Sequence, residues 1–118
     1  MHYTTEQIDL CRRLSEQLPK REPKVGEKWM VIFYRESYPA ILDYYEGNGV
    51  WRCDHTRWTE ELLHPLYSCG ELLEMLSKYS YILFDFNEKI IDMAGGYVDI
   101  ENNDILSALL KLAIEVGK

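Results

Sequence analysis

The chain has 118 residues, of which 47% are apolar and 28% charged. That is ordinary composition for one globular domain, and it excludes a two-domain enzyme and a disordered chain. Thirteen Lys/Arg against twenty Asp/Glu give a net charge of −7, the wrong sign for a nucleic-acid binder.

The polar start, residues 3–7, lacks a basic segment followed by an apolar one, so no signal peptide is expected. Thr4 and Gln7 fit a capping box, and Ile8, Cys11, Leu14 and Leu18 follow at helical spacing, predicting a helix over 4–18. Pro19 ends it, because proline lacks the N–H and restricts the residue before it. Residues 19–27 form a charged connector punctuated by Pro and Gly. Residues 28–34 are apolar on both faces, as in a strand inside a sheet or one covered by helices. This apolar run is far short of the ~20 residues a membrane span needs.

Residues 35–39 are expected to be a loop, 41–45 a second strand and 50–53 a third. Gly47, Asn48 and Gly49 between them tolerate the positive φ of a hairpin turn. Over 54–68 the pattern is weak; Trp58, Leu62, Leu63 and Leu66 are expected to face inward, and Pro65 blocks a continuous helix. Ser68 and Glu71 form a second capping-box pattern ahead of a helix at 69–78. Strands are expected at 81–86, 89–93 and 97–100. Asn103 is expected to cap a last helix, 104–116, which Gly117 stops. That helix is apolar around most of its circumference. It is therefore either the central helix of the fold or partly a partner-binding surface. The fold class predicted is α+β in the order α-β-β-β-α-β-β-α, a mainly antiparallel sheet from two hairpin units packed with three helices in one domain over 1–118.

Four Cys/His residues supply the right number of ligands for tetrahedral zinc: Cys53, His55, His64 and Cys69. The one-residue gap between Cys53 and His55 departs from the usual two-to-four-residue knuckle, and the plainer reading is core thiols with partly exposed histidines. Cys69, at a helix start that lowers thiol pKa, is the best-placed candidate nucleophile. No motif surrounds it, so no catalytic residue is assigned. Asp99, Glu101 and Asp104 resemble half of a cation loop without its glycine and closing glutamate. Phosphate-loop and dinucleotide patterns are absent, and no cofactor is expected.

Charge is uneven: residues 1–40 sum to +1 and residues 41–118 to −8. The basic residues around the first helix, Arg12, Arg13, Lys20, Arg21, Lys24 and Lys28, read as a solvated helix end or a small patch for an acidic partner. Fifteen residues are aromatic. Tyr44, Tyr45, Trp51 and Trp58 concentrate on and after the first hairpin, and form the candidate binding surface because Tyr and Trp favour interface hot spots.

The opening Tyr3-Thr4-Thr5-Glu6-Gln7, the stretch Arg21-Glu22-Pro23-Lys24-Val25-Gly26-Glu27-Lys28-Trp29, His64-Pro65-Leu66 and the closing Ala108-Leu109-Leu110-Lys111-Leu112-Ala113 carry a resemblance. Together they resemble small uncharacterised proteins encoded by bacteriophages and prophages. The resemblance implies cytoplasmic expression during infection or lysogeny and transfers no catalytic residue. The expected function is non-enzymatic protein–protein binding, to a second copy or a host factor, with neither a nucleic-acid nor a membrane partner. The alternatives are an acidic inhibitor that mimics nucleic-acid charge and a small zinc or thiol protein.

Overall fold

The structure, a computed structural model, describes residues 3–53, 55–94 and 96–117. The fold is mixed α+β, with three helices and three antiparallel sheets of three strands each among the described residues. The chain divides into two compact units, one of Met1–Leu18 with Tyr67–Lys118 and one of Pro19–Leu66.

In the first unit, helix α1 (Thr5–Gln17) starts at the predicted capping box. The Gln7 N–H donates to Thr4 Oγ1 at 3.1 Å, and the Thr4 N–H donates to Gln7 Oε1 at 2.9 Å. Helix α2 (Cys69–Ser77) starts at the Ser68–Glu71 box in the same way. Helix α3 (Ile105–Val116) packs against α1 and α2, which accounts for its nearly continuous apolar circumference. Its cap is Asp104, whose carboxylate accepts the Ser107 N–H at 3.0 Å, and not Asn103 as expected. Asn103 has φ +57, outside the conformation a cap adopts.

The remaining elements of this unit, β7 (Ile82–Asp85), β8 (Ile90–Met93) and β9 (Gly96–Asp99), form an antiparallel meander. Ile91 and Met93 point into the core, and β9 lies against α3.

The second unit holds β1 (Lys28–Phe33), β2 (Glu36–Ile41), β3 (Tyr44–Gly47), β4 (Val50–Cys53), β5 (Thr56–Thr59), a 3-10 turn (Glu60–Leu62) and β6 (Leu63–Pro65). Strand β1, apolar on both faces, is the middle strand of the order β2-β1-β6. The other sheet has the order β3-β4-β5. Trp29, Val31 and Ala40 from one sheet meet Trp51 and Cys53 from the other, with Leu42 and Leu63, in one core.

Residues 36–41 are strand, not loop, and pair with β1 along its whole length. Pro39 lies in the stretch 35–39 expected to be a loop. It sits in β2 because β2 is an edge strand, where a missing N–H can face out of the ladder. The expected strand at 41–45 is broken at Leu42–Asp43: the chain before that point pairs with β1, and the chain after it with β4. Gly47, Asn48 and Gly49 all take positive φ in the β3–β4 turn, as their residue types predict. Among the described residues no helix is long and apolar enough to cross a membrane.

Candidate functional site

Residues directly opposite each other in an antiparallel sheet share a face. In the first sheet Trp29 faces Ala40, Val31 faces Tyr38 and Phe33 faces Glu36. Trp29 and Val31 are core residues, so Tyr38 and Phe33 carry the core-facing side outward to where it is no longer covered. In the second sheet Tyr45, Trp51 and Trp58 lie in one row, with Trp51 in the core and Trp58 at its margin. Past Trp58 the two inner faces open into a cleft of about 1040 Å³, lined by Phe33, Tyr34, Arg35, Glu36, Tyr38, Pro39, Ala40, Cys53, Thr56 and Trp58. It is the open end of this unit's own apolar interior.

Trp58 is the hub of the cleft. Its ring lies 5.7 Å from Phe33 in an edge-on arrangement and 6.4 Å from Tyr38 in a stacked one. Phe33 in turn meets Tyr34 edge-on at 4.3 Å. These are ordinary aromatic pair geometries, and they hold the rings in place without closing the cleft. Tyr34 is 88% exposed at its rim. Beside it are Arg35 and Glu36, neither of which is in an ion pair among the described residues.

Tyr34 and Arg35 form the two-residue turn between β1 and β2, and Tyr34 has φ +57. The first central position of such turns is the usual place of glycine, because a Cβ is strained at positive φ. A bulky aromatic there costs roughly 1–2 kcal/mol.

Of the four aromatic residues singled out from the sequence, Tyr45, Trp51 and Trp58 share one face of their sheet and Tyr44 lies on the other. Trp58 lines the large cleft. Trp51 is buried, and its indole N–H donates to Glu60 Oε1 at 3.0 Å. Tyr45 packs 5.1 Å from Trp51 and lines a smaller pocket of about 350 Å³ with Lys20, Pro23 and Glu60. Tyr44 belongs to the opposite face of its sheet, where the Arg52 guanidinium lies 5.8 Å from its ring. Tyr38 falls in the stretch 35–39 that reads as a loop, and Phe33 and Tyr34 end the run 28–34 that reads as a covered strand. The available signal was two aromatic runs flanking a two-residue turn, with proline marking a sheet edge.

The Cys/His set is spread along the chain. Cys53 is 2% exposed and turned into the core of the second unit. His55 is exposed in the β4–β5 turn with φ +66. His64 is on β6 opposite Met30, and Cys69 opens α2 in the first unit. Among the described residues no group of three or more His, Cys, Asp or Glu is placed to hold a metal ion. Cys69 also differs from the expected activated thiol. Burial pushes its pKa up, and the nearby Asp104 charge pushes it further, against the lowering expected at a helix start.

The acidic run ends in a cap. Burial raises the Asp104 carboxyl, but hydrogen bonds from the Ser107 hydroxyl and N–H and from Gln7, with the Lys111 charge, hold it below the ordinary value.

Comparison with family models, with curated proteins and with solved structures finds no match to this chain, so the chemistry of the cleft is the ground for a functional reading.

Proposed function

We propose that this protein is a binding protein rather than a catalyst, and that its aromatic cleft receives an extended segment of another protein. In the phage-type cytoplasmic setting that the resemblance implies, the partner is a host factor. The observation that carries the reading is the placement of Trp58, Tyr38 and Phe33 at the open end of the core, with Tyr34 and Arg35 exposed at its rim. Tyr, Trp and Arg are the residue types that dominate binding energy at protein interfaces. The volume matches a ligand site at the upper end of the usual 300–1000 Å³ range, large enough for several side chains of a peptide.

Strand addition at β2 is disfavoured, because Pro39 removes a donor from that edge. Recognition therefore runs through partner side chains seated among the rings, with Arg35 available to a partner carboxylate or carbonyl.

The test is selection of peptides from a random display library on the purified protein. Affinities of the enriched peptides are then measured on wild type, Trp58→Ala and Tyr34→Ser. Tyr34 is exposed, so its variant keeps the fold even where Trp58→Ala disturbs it. Enriched peptides that lose roughly tenfold or more in affinity on Tyr34→Ser support the reading. Failure to enrich, or equal affinity for both variants and wild type, refutes it.

A further inference from the structure

The β7–β8–β9 meander has an outer face on which Leu83 and Tyr97 are left exposed. The register places Leu83, Asp92 and Tyr97 in one row and Asp85, Ile90 and Asp99 in the next, all on the side opposite the buried Ile91 and Met93. The face is therefore a checkerboard in which each row mixes carboxylate and apolar groups. Leu83 is 56% and Tyr97 67% exposed, and Phe86, just past the end of β7, is also exposed. A solvent-facing side of an antiparallel sheet is normally polar. Here every second outward position on the three strands is a large apolar group.

The carboxylates select the occupant. Asp85 accepts two backbone N–H groups, from Asn87 at 3.1 Å and Glu88 at 3.0 Å. Among the described residues none of Asp85, Asp92 and Asp99 is in an ion pair. Neighbouring strands lie about 5 Å apart, so Asp85 and Asp99 stand about 10 Å apart across the sheet, with Asp92 on the diagonal about 7–8 Å from each. The unit that carries them has six basic against twelve acidic residues. A second copy of the same face would set three carboxylates against three carboxylates, and a phosphate backbone or anionic lipid would be repelled.

We infer that this sheet face is a docking surface for a basic segment of a partner protein, in which Lys or Arg side chains alternate with apolar ones. The apolar groups of the partner cover Leu83, Ile90 and Tyr97, and its cations meet Asp85, Asp92 and Asp99. The surface is separate from the aromatic cleft and does not depend on how that cleft is read.

The test uses a fluorescein-labelled peptide that intersperses Lys and Leu on the same face, its Glu/Leu counterpart and its Lys/Ser counterpart, titrated by fluorescence anisotropy at low salt. The wild-type protein is expected to bind the Lys/Leu peptide, to ignore the Glu/Leu peptide and to bind the Lys/Ser peptide more weakly. Combining Asp85→Asn, Asp92→Asn and Asp99→Asn keeps the acceptor of the β7–β8 turn and weakens binding roughly five- to thirtyfold. Leu83→Ser with Tyr97→Ser weakens it as well. A control triple with the same change in net charge, Glu16→Gln, Glu61→Gln and Glu74→Gln, stays within about twofold of wild type. Equal loss in the two triples, equal binding of the Lys/Leu and Lys/Ser peptides, or no wild-type binding overturns the inference.

Discussion

Tyr34 carries two opposing demands. Its backbone occupies a conformation suited to glycine, and its ring stands on the rim of the cleft. Replacing it with glycine relieves the Cβ strain, at the cost of some added freedom in the unfolded chain. Tyr34→Gly should therefore raise unfolding stability by about 0.5–1 kcal/mol while weakening the peptides selected on the cleft. Urea denaturation and peptide titration on the same variant check both halves. A glycine variant that is less stable than wild type would show that the ring's contact with Phe33 outweighs the strain. No signal for the positive φ exists in the sequence around Tyr34. It follows from a register in which Phe33 faces Glu36, and that is a long-range property of the sheet.

At the scale of elements, helix starts were the most legible feature, because a cap is decided by side chains within four residues of it. The Thr4–Gln7 and Ser68–Glu71 boxes were readable for that reason. Helix α3 shows the limit. Asn103 and Asp104 are both good caps by type, and the choice between them is made by a distant residue. The Gln7 side-chain amide donates to both Asp104 oxygens, at 3.0 and 3.2 Å, and so ties the start of α1 to the start of α3. Asp104→Ala removes the cap and this link together, and should cost about 1–2 kcal/mol. Asp104→Asn keeps an acceptor for Ser107 and should cost less. Thermal unfolding of the two variants separates the contributions, and equal losses would assign the effect to charge alone. Strand β2 is the converse case: Pro39 argues against a strand locally, and only its place at a sheet edge makes it acceptable. Tyr38, Pro39 and Ala40 line the cleft only because β2 is a strand, which no local signal announces.

Across the whole molecule, the chain leaves the first unit after α1, builds the second unit and returns at Tyr67. A folded insertion has to bring its own two ends into a fixed relation, and Arg21 does this inside the second unit. Its guanidinium donates to the Leu66 carbonyl at 3.1 Å, pairs with Glu27 at 2.8 Å and lies 5.6 Å from the Trp29 ring. Glu27 also accepts the Lys24 N–H at 2.8 Å and the Trp29 indole N–H at 3.3 Å. Burial pushes the Glu27 carboxyl up, but the hydrogen bond and charge of Arg21, with the Trp29 and Lys24 donors, outweigh it and hold the group below the usual glutamate range. The unfolded chain, whose glutamate titrates near about 4.3, then binds the proton first as the pH falls. This contribution to stability is complete above that ordinary value and is lost as the pH drops through the lower folded value. Arg21→Met keeps the aliphatic stem over Trp29 and removes the donors, and should cost about 1–2 kcal/mol at neutral pH. The loss should shrink below about pH 4, because part of what is removed is the stabilisation of ionised Glu27. Urea midpoints for wild type and Arg21→Met between neutral pH and about pH 3 should therefore converge. Parallel curves would mean that Arg21 holds the ends of the insertion through the Leu66 carbonyl alone, with Glu27 ionising independently of it.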